Sequence, residues 1–176
     1  MEFHEVIKKR YSVRKFSDKE VSQDLINEIL EIGRIAPSGG NHQPTIVYVL
    51  DNEKIEKLKE IPSAKIHPVV FHAKYAFLIC YDKNLEMKRP HDKFTFGITD
   101  SSIVTTYMML KITELGLGSV WVGWFNPKMI KELFKLPEEY EVSAILPFGY
   151  IEKGFRPTAN NKKRKSIEEF KIEFNN

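Results

Sequence analysis

Three polar side chains suited to binding an anion lie close together near the N-terminus. Arg10, Ser12 and Arg14 alternate with Tyr11 and Val13 in the sequence Arg-Tyr-Ser-Val-Arg. A guanidinium group binds two phosphate oxygens at once through its planar fork, and a serine hydroxyl can donate a further hydrogen bond. The spacing therefore indicates a site for a phosphate-like anion, and a solvated basic turn after a helix is the alternative.

A second stretch with functional residue types is the loop 36–44. Its two adjacent glycines let the backbone approach a ligand closely, and its two prolines fix the directions in which the chain enters and leaves it. Ser38, Asn41 and Gln43 add hydrogen-bond donors and acceptors at close spacing. This composition is typical of a ligand-binding loop, and an ordinary connection between two elements is the alternative.

Two later positions have side chains or backbone suited to the same kind of ligand. Gly123 lies near the end of the aromatic segment 119–125, where its backbone could face a planar ligand while Trp121 and Trp124 pack around it. Arg156 is an isolated arginine in a glycine- and proline-containing turn. Gly123 thus offers backbone groups that could face a ring, and Arg156 offers a further positive charge.

The sequence contains no recognisable set of catalytic side chains. A P-loop, a Rossmann glycine fingerprint and a G-x-S-x-G elbow are all missing from the sequence. Cys80 lies in the apolar run 75–81, which favours a buried structural thiol over a nucleophile. His67 and His72 have no carboxylates or cysteines beside them, so no metal site is expected. The chemistry must come from a bound cofactor or be absent.

Hydrophobic periodicity predicts the elements that hold these residues. Helices are predicted over 3–10, 22–35, a long stretch from Phe94 or Phe96 to about Leu115, and about 126–134; strands are predicted over 46–50, 75–81, 119–125 and 141–148. The first strand is expected to be buried on both faces, and the last to break at Pro147. Asp100, near the start of the long helix, either supports a site or occupies a capped or exposed position.

Length and composition indicate one domain over residues 1–176, with about 158–176 forming a C-terminal arm. The net charge of +3 is too small to indicate nucleic acid as a partner. With no signal peptide and no apolar run of the ~20 residues that span a bilayer, we expect a soluble cytoplasmic protein without a membrane partner. The basic segment 162–165 is expected to be solvated, and the period-2 apolar residues of 168–174 indicate an arm that lies against a partner.

In their order along the chain, these motifs resemble the nitroreductase family of FMN-dependent oxidoreductases. The resemblance rests on Arg-x-Ser-x-Arg at 10–14, Pro-Ser-Gly-Gly-Asn-x-Gln-Pro at 37–44, the strand after Gly-Leu-Gly, and Arg156, and it covers about residues 3–157. It implies an α+β fold with a central mixed, mainly antiparallel sheet flanked by helices. It further implies an intertwined homodimer with two FMN sites at the subunit interface.

The resemblance also implies roles for individual residues. Arg10 and Arg156 would hold the FMN phosphate with help from Ser12, and Arg14 would reach the ribityl chain and the pyrimidine edge of the flavin. The other side of the ring would be covered by residues of the opposite subunit: Pro37, Ser38, Gly39 and Asn41. Gln43 matches a position near the pyrimidine edge. The complete implied set of cofactor-binding residues is Arg10, Tyr11, Ser12, Arg14, Pro37, Ser38, Gly39, Asn41, Gln43, Val122, Gly123 and Arg156. Tyr11 stands where many relatives have a second arginine, and Val122 and Gly123 would run beside flavin N5 and O4.

The implied activity is hydride transfer from NADH or NADPH through flavin N5 to a small acceptor such as a nitroaromatic or a quinone. No catalytic side chain is assigned, because the flavin performs the transfer and solvent supplies protons. The short linker 82–94 leaves little material for a lid over the substrate pocket. The alternative from another class is an FMN-binding sensor, storage or electron-transfer protein without NAD(P)H turnover.

Overall fold

A four-stranded antiparallel sheet forms the centre of the computed structural model, which describes residues 1–157 and 163–174. The strands are β1 (Thr45–Leu50), β2 (Tyr75–Asp82), β3 (Gly118–Ser119) and β4 (Tyr140–Gly149), and their order in the sheet is β1-β2-β4-β3. Helices cover both faces: α1 (Phe3–Lys9), α2 (Gln23–Arg34), α3 (Asn52–Lys57), α4 (Gly97–Glu114) and α5 (Pro127–Phe134); α6 (Ile167–Phe170) lies near the C-terminus. The predicted mainly antiparallel sheet flanked by helices is confirmed.

Residues of the central strand β2 alternate between two hydrophobic clusters, one on each face of the sheet. Phe77 and Ile79 belong to the cluster under α2 and α4, whereas Leu78 and Cys80 belong to the cluster with α3 and α5. This alternation is the period of two of an extended chain. The sheet is therefore covered on both faces, which leaves its edges and loop ends for a site.

Helix boundaries follow from side chains that the sequence places at their ends. The hydroxyl of Ser22 accepts a hydrogen bond from the N–H of Leu25 and begins α2, and Asn126 accepts one from Met129 before Pro127 begins α5. Both caps satisfy backbone donors that have no partner within the helix. They fix the two helices on either side of the sheet.

The strands differ from the prediction in the burial of β1 and in the extent of the two strands that follow β2. β1 is half-buried rather than buried on both faces, because it is an edge strand. The predicted strand 119–125 is reduced to β3 and two isolated bridges, Val122 with Ile145 and Phe125 with Ile66. β4 continues through Pro147, whose carbonyl accepts a hydrogen bond from the N–H of Val120 at 3.2 Å.

Candidate cofactor site

The segment 10–16 runs along the β3 edge of the sheet. Ser12 forms a parallel bridge with Ser119, and the N–H of Val13 donates to the carbonyl of Ser119 at 2.9 Å. Val13 is buried. Because successive side chains of an extended chain point to opposite sides, the flanking Ser12 and Arg14 are directed away from the core.

Arg14 borders a cavity of about 140 Å³ together with His67, Val69 and residues 120–124. The N–H of Val122 donates to the carbonyl of Ile145 at 2.9 Å and fixes this wall of the cavity. At Gly123 an added Cβ would meet no atom closer than 4.0 Å, so the backbone faces open space. The structure thus brings Arg14, Val122 and Gly123, three of the predicted cofactor residues, to one cavity.

Arg10 lies at the other end of the segment, near enough to Arg164 for the charge of Arg164 to act on it. Burial lowers the pKa of the half-buried Arg10 guanidinium, and the positive charge of Arg164 lowers this pKa further. Two guanidinium groups near each other repel, and both attract an anion that binds beside them. This end of the segment therefore has the charge pattern of a phosphate site.

Arg164 is a residue that the sequence analysis missed. It lies in the basic segment 162–165, which was expected to be solvated, and Lys162 lies outside the described residues. The signal that could have identified it is the run of basic residues itself, considered together with Arg10 as one anion site. Arg164 is therefore, like the predicted Arg156, a candidate for binding the phosphate.

Stacking between Tyr11 and Phe155 brings the predicted Arg156 towards this end of the segment. The two ring centroids lie 6.2 Å apart with an interplanar angle of 21°. Phe155 is the neighbour of Arg156 in the chain, and the Arg156 side chain is exposed. The structure thus places Arg156 next to the partner of Tyr11, on the side of the sheet that holds Arg10.

The loop 36–44 has a backbone held in unusual conformations. Gly40, Asn41 and Gln43 all have positive φ angles, of 56°, 58° and 50°. Such conformations cost about 1–3 kcal/mol each in residues with a side chain and cluster at ligand sites. The hydroxyl of Ser38 accepts a hydrogen bond from the N–H of Gln43 at 2.9 Å and closes the loop. A buried carboxylate, Asp100, accepts a further bond from the N–H of Gly39.

The loop and the segment 10–16 lie at opposite edges of the sheet. The loop leads into β1, whereas the segment pairs with β3, and β2 and β4 separate these two strands. With about 4.8 Å between neighbouring strands, the two edges are roughly 14 Å apart. A single chain therefore does not bring Pro37, Ser38, Gly39, Asn41 and Gln43 together with the other predicted cofactor residues.

His67 is a second residue that the sequence analysis did not include in the site. Its Nδ1 accepts a hydrogen bond from the N–H of Val69 at 3.2 Å, so the proton of the neutral ring is on Nε2. The imidazole packs edge-on against the indole of Trp124, with centroids 6.1 Å apart. The sequence carries no signal for this placement, because it depends on backbone pairing between segments 65–67 and 124–126.

Other reactive groups are placed away from the cavity. Cys80 is buried in β2, and burial raises the pKa of its thiol to about 12. Among residues 1–157 and 163–174, no group of three or more potential metal ligands lies together. Within the same ranges, no helix combines the length and the apolar character needed to cross a membrane.

Comparison with known proteins identifies the family. The sequence model described as the nitroreductase family matches residues 7–77 and 63–150. A protein of Methanothermobacter thermautotrophicus that carries the name NADH dehydrogenase/NAD(P)H nitroreductase is 35% identical over 157 residues, which are 85% of this chain and 78% of that protein.

Two solved structures show the same fold over nearly the whole chain. A nitroreductase family protein of Clostridium difficile 630 is 40% identical with a TM-score of 0.86, and the match covers 98% of each chain. An FMN-dependent nitroreductase of Clostridium difficile R20291 is 29% identical with a TM-score of 0.77, covering 97% of this chain and 98% of that one. With the arginine segment, the Gly123 cavity and the left-handed loop in place, the chain belongs to the nitroreductase family.

Proposed function

We propose that the protein transfers a hydride from NADH or NADPH, through bound FMN, to a small acceptor of the nitroaromatic or quinone class. The family and its relatives show that the chain is an NAD(P)H-dependent flavin oxidoreductase with FMN as cofactor. We propose further that donor and acceptor use the same pocket in turn, so that the oxidised nicotinamide leaves before the acceptor binds. The name of the FMN-dependent relative supports the choice of flavin.

The observation that carries this proposal is the arrangement of charge along the segment 10–14. The charges of Arg10 and Arg164 act on each other at one end, and Arg14 borders the Gly123 cavity at the other. Arg10 and Arg14 are four residue steps apart, which is about 13 Å in an extended chain. A ligand with a phosphate at one end and a planar polar ring at the other fits this pattern.

The residues of the chain bind and orient the cofactor, and FMN, when bound, supplies the hydride-accepting position N5. Arg10 and Arg164, with Arg156 and Ser12, hold the phosphate, and the backbone at Gly123 leaves room for a ring edge. The positive charge of Arg14 beside the pyrimidine edge favours added negative charge on the ring and raises its reduction potential. No side-chain acid or base is assigned, and solvent supplies the protons.

We infer that two chains complete each site, the segment 10–14 from one and the loop 36–44 from the other. The separation of these two groups at opposite sheet edges supports this arrangement. Apolar side chains that the single chain leaves exposed on α1 and α4 also support it: Phe3, Ile7, Ile98 and Tyr107. A homodimer buries such surface, whose exposure in water is unfavourable.

Anaerobic reduction of the purified protein tests the proposal. The FMN-loaded protein should lose its flavin absorbance when NADH or NADPH is added, and a quinone or nitroaromatic should restore it. Parallel lines in double-reciprocal plots of donor against acceptor concentration would support use of one pocket in turn. Bound FMN that neither nicotinamide bleaches would instead indicate a flavin-binding protein without turnover, and failure to retain FMN would refute the proposal.

A further inference from the structure

Two buried side-chain oxygens without a hydrogen-bond partner adjoin the same loop. Among the described residues they are the only such atoms: Oγ1 of Thr45 and Oδ2 of Asp100. Thr45 follows the loop 36–44 directly in the chain, and Asp100 contacts it from α4. Buried polar groups are normally paired, so unpaired ones mark positions where something besides stability has been selected.

The carboxylate of Asp100 is held between the start of α4 and the loop. Asp100 is only 1% exposed, and its Oδ1 accepts a hydrogen bond from the N–H of Gly39 at 2.9 Å. Its position in the first turn of α4 is favourable for a negative charge, because the helix dipole is positive there. Asp100 therefore fixes the loop through a charge-assisted bond to its backbone.

Gly39 is the residue at which such a bond has the most effect on the loop. It is the first residue of the short 3-10 turn Gly39–Asn41, whose other two residues, Gly40 and Asn41, are left-handed. A backbone in left-handed conformations relaxes unless its surroundings hold it. The hydrogen bond that the Gly39 N–H donates to Asp100 holds the N-terminal end of the turn. The bond that the Gln43 N–H donates to the hydroxyl of Ser38 holds the other end.

We propose that Asp100 is the positioning residue of the loop: by holding Gly39, it sets the position of Asn41 and Gln43 over the FMN bound by the partner subunit. This inference rests on the proposed function, because it requires the cross-subunit flavin site. Asp100 acts through the loop and does not itself contact the flavin. It links the long helix α4 of one subunit to the cofactor of the other.

Flavin titration of three variants provides the first test. Asp100→Ala removes the acceptor of the Gly39 N–H and should weaken FMN binding about tenfold or more. Asp100→Asn keeps an oxygen that can accept from the Gly39 N–H and replaces only Oδ2, which has no partner. This variant should therefore bind FMN within about threefold of the wild type. Glu86→Gln is the matched control, because Glu86 is also buried and accepts one backbone bond, from Gly97 at the start of α4.

Mixed dimers separate a local effect on the loop from general loss of structure. Subunits carrying Arg10→Ala and Arg164→Ala are mixed with Asp100→Ala subunits, and each mixed dimer then contains one site with both defects and one with neither. Recovery of one tightly bound FMN per mixed dimer is expected. No recovery, or Asp100→Asn as weak as Asp100→Ala, would overturn the proposal.

Backbone amide exchange at Gly39 tests the same residue without any flavin. The Gly39 amide should be protected in the wild type and in Asp100→Asn, and should exchange about tenfold faster or more in Asp100→Ala. Equal protection in all three would refute the positioning role even if FMN binds. If the exchange rates follow the expected order but the wild type binds no FMN, the proposed function fails while the bond between Asp100 and Gly39 stands.

Discussion

Arg164 lies close enough to Arg10 for its positive charge to lower the pKa of the Arg10 guanidinium. The two residues are far apart in the sequence, and the fold brings them together where the segment 10–16 meets the chain beyond β4. Arg10 is half-buried and Arg164 is exposed, and the two like charges repel each other. Both would attract a phosphate, so the pair is suited to binding an anion.

Replacement of the arginines should weaken FMN binding to different extents. Arg10→Ala should cost about 1.5–3 kcal/mol of binding free energy, because a half-buried charged donor is lost. Arg164 and Arg156 are exposed, so each replacement should cost about 0.5–1 kcal/mol. Quenching of flavin fluorescence during titration measures all three affinities.

Riboflavin is the control ligand for these variants, because it has the same ring system without the phosphate. All three variants should bind riboflavin as the wild type does. An equal loss of affinity for riboflavin and FMN would show that the arginines act on the fold and not on the phosphate.

Gly123→Ala should leave the apo protein as stable as the wild type but weaken its binding of FMN. An added methyl group has open space within the chain, so only a ligand or partner at the cavity would be displaced. Thermal unfolding and FMN titration measure the two effects. Gly118→Ala is the contrasting variant, because its Cβ would lie 2.6 Å from Cγ2 of Val13 and should destabilise the fold. Unchanged FMN affinity in Gly123→Ala would contradict a flavin edge at this backbone.

The elements of the fold were predictable where a local signal fixes them. The helices predicted from 22 and from about 126 begin at Ser22 and Asn126, whose side chains cap α2 and α5, because capping depends on residues three positions apart. The extent of β3 was not predictable, since the segment from Val120 to Phe125 has strand composition throughout but forms only two isolated bridges beyond Ser119. Pairing partners, not composition, decide where a strand ends.

The site was predictable in its residue types but not in its assembly. The arginine and loop motifs indicate a ligand by their chemistry, yet their separation at opposite sheet edges follows only from the strand order. The basic run marks Arg164 as a cation but not as a neighbour of Arg10, and no local signal places His67 beside Arg14, because both placements join distant segments of the chain. An apolar run such as β1 likewise does not reveal whether it is central or at an edge.

Glu141 should contribute stability at neutral pH that is lost in acid. Burial raises the pKa of its carboxyl, but hydrogen bonds and ion pairs with Lys83 and Lys131 outweigh this effect and hold the pKa below its ordinary value. The contribution is complete above the unfolded-state pKa of about 4.3 and disappears as the pH falls through the lower folded-state value. Glu141→Gln should therefore destabilise the protein by about 1 kcal/mol at pH 7.

Denaturant unfolding of wild type and Glu141→Gln at pH 7 and at pH values below 4 measures this difference. Glu132→Gln is the control, because the Glu132–Lys128 pair at 3.9 Å is exposed on both sides. Glu132→Gln should have the same free energy of unfolding as the wild type at both pH values. A Glu141→Gln effect that persists unchanged in acid would show that packing, not charge, is responsible.

Removal of residues 167–176 should weaken the proposed homodimer without unfolding the chain. Phe170, Ile172 and Phe174 alternate along the C-terminal arm and are 79%, 89% and 99% exposed in the single chain, so their loss removes no core contact. Burial of each such side chain at an interface contributes about 1.5–3 kcal/mol, part of which offsets the ordering of the arm. Sedimentation over a range of protein concentrations should show dissociation of the truncated chain where the wild type remains dimeric.

The ion pair of Lys171 with Glu173, on the alternate positions of the arm, provides the control: alanine at both should leave the dimer intact. A truncated chain that dimerises as tightly as the wild type would show that the arm lies free and that the exposed apolar residues of α1 and α4 suffice for assembly.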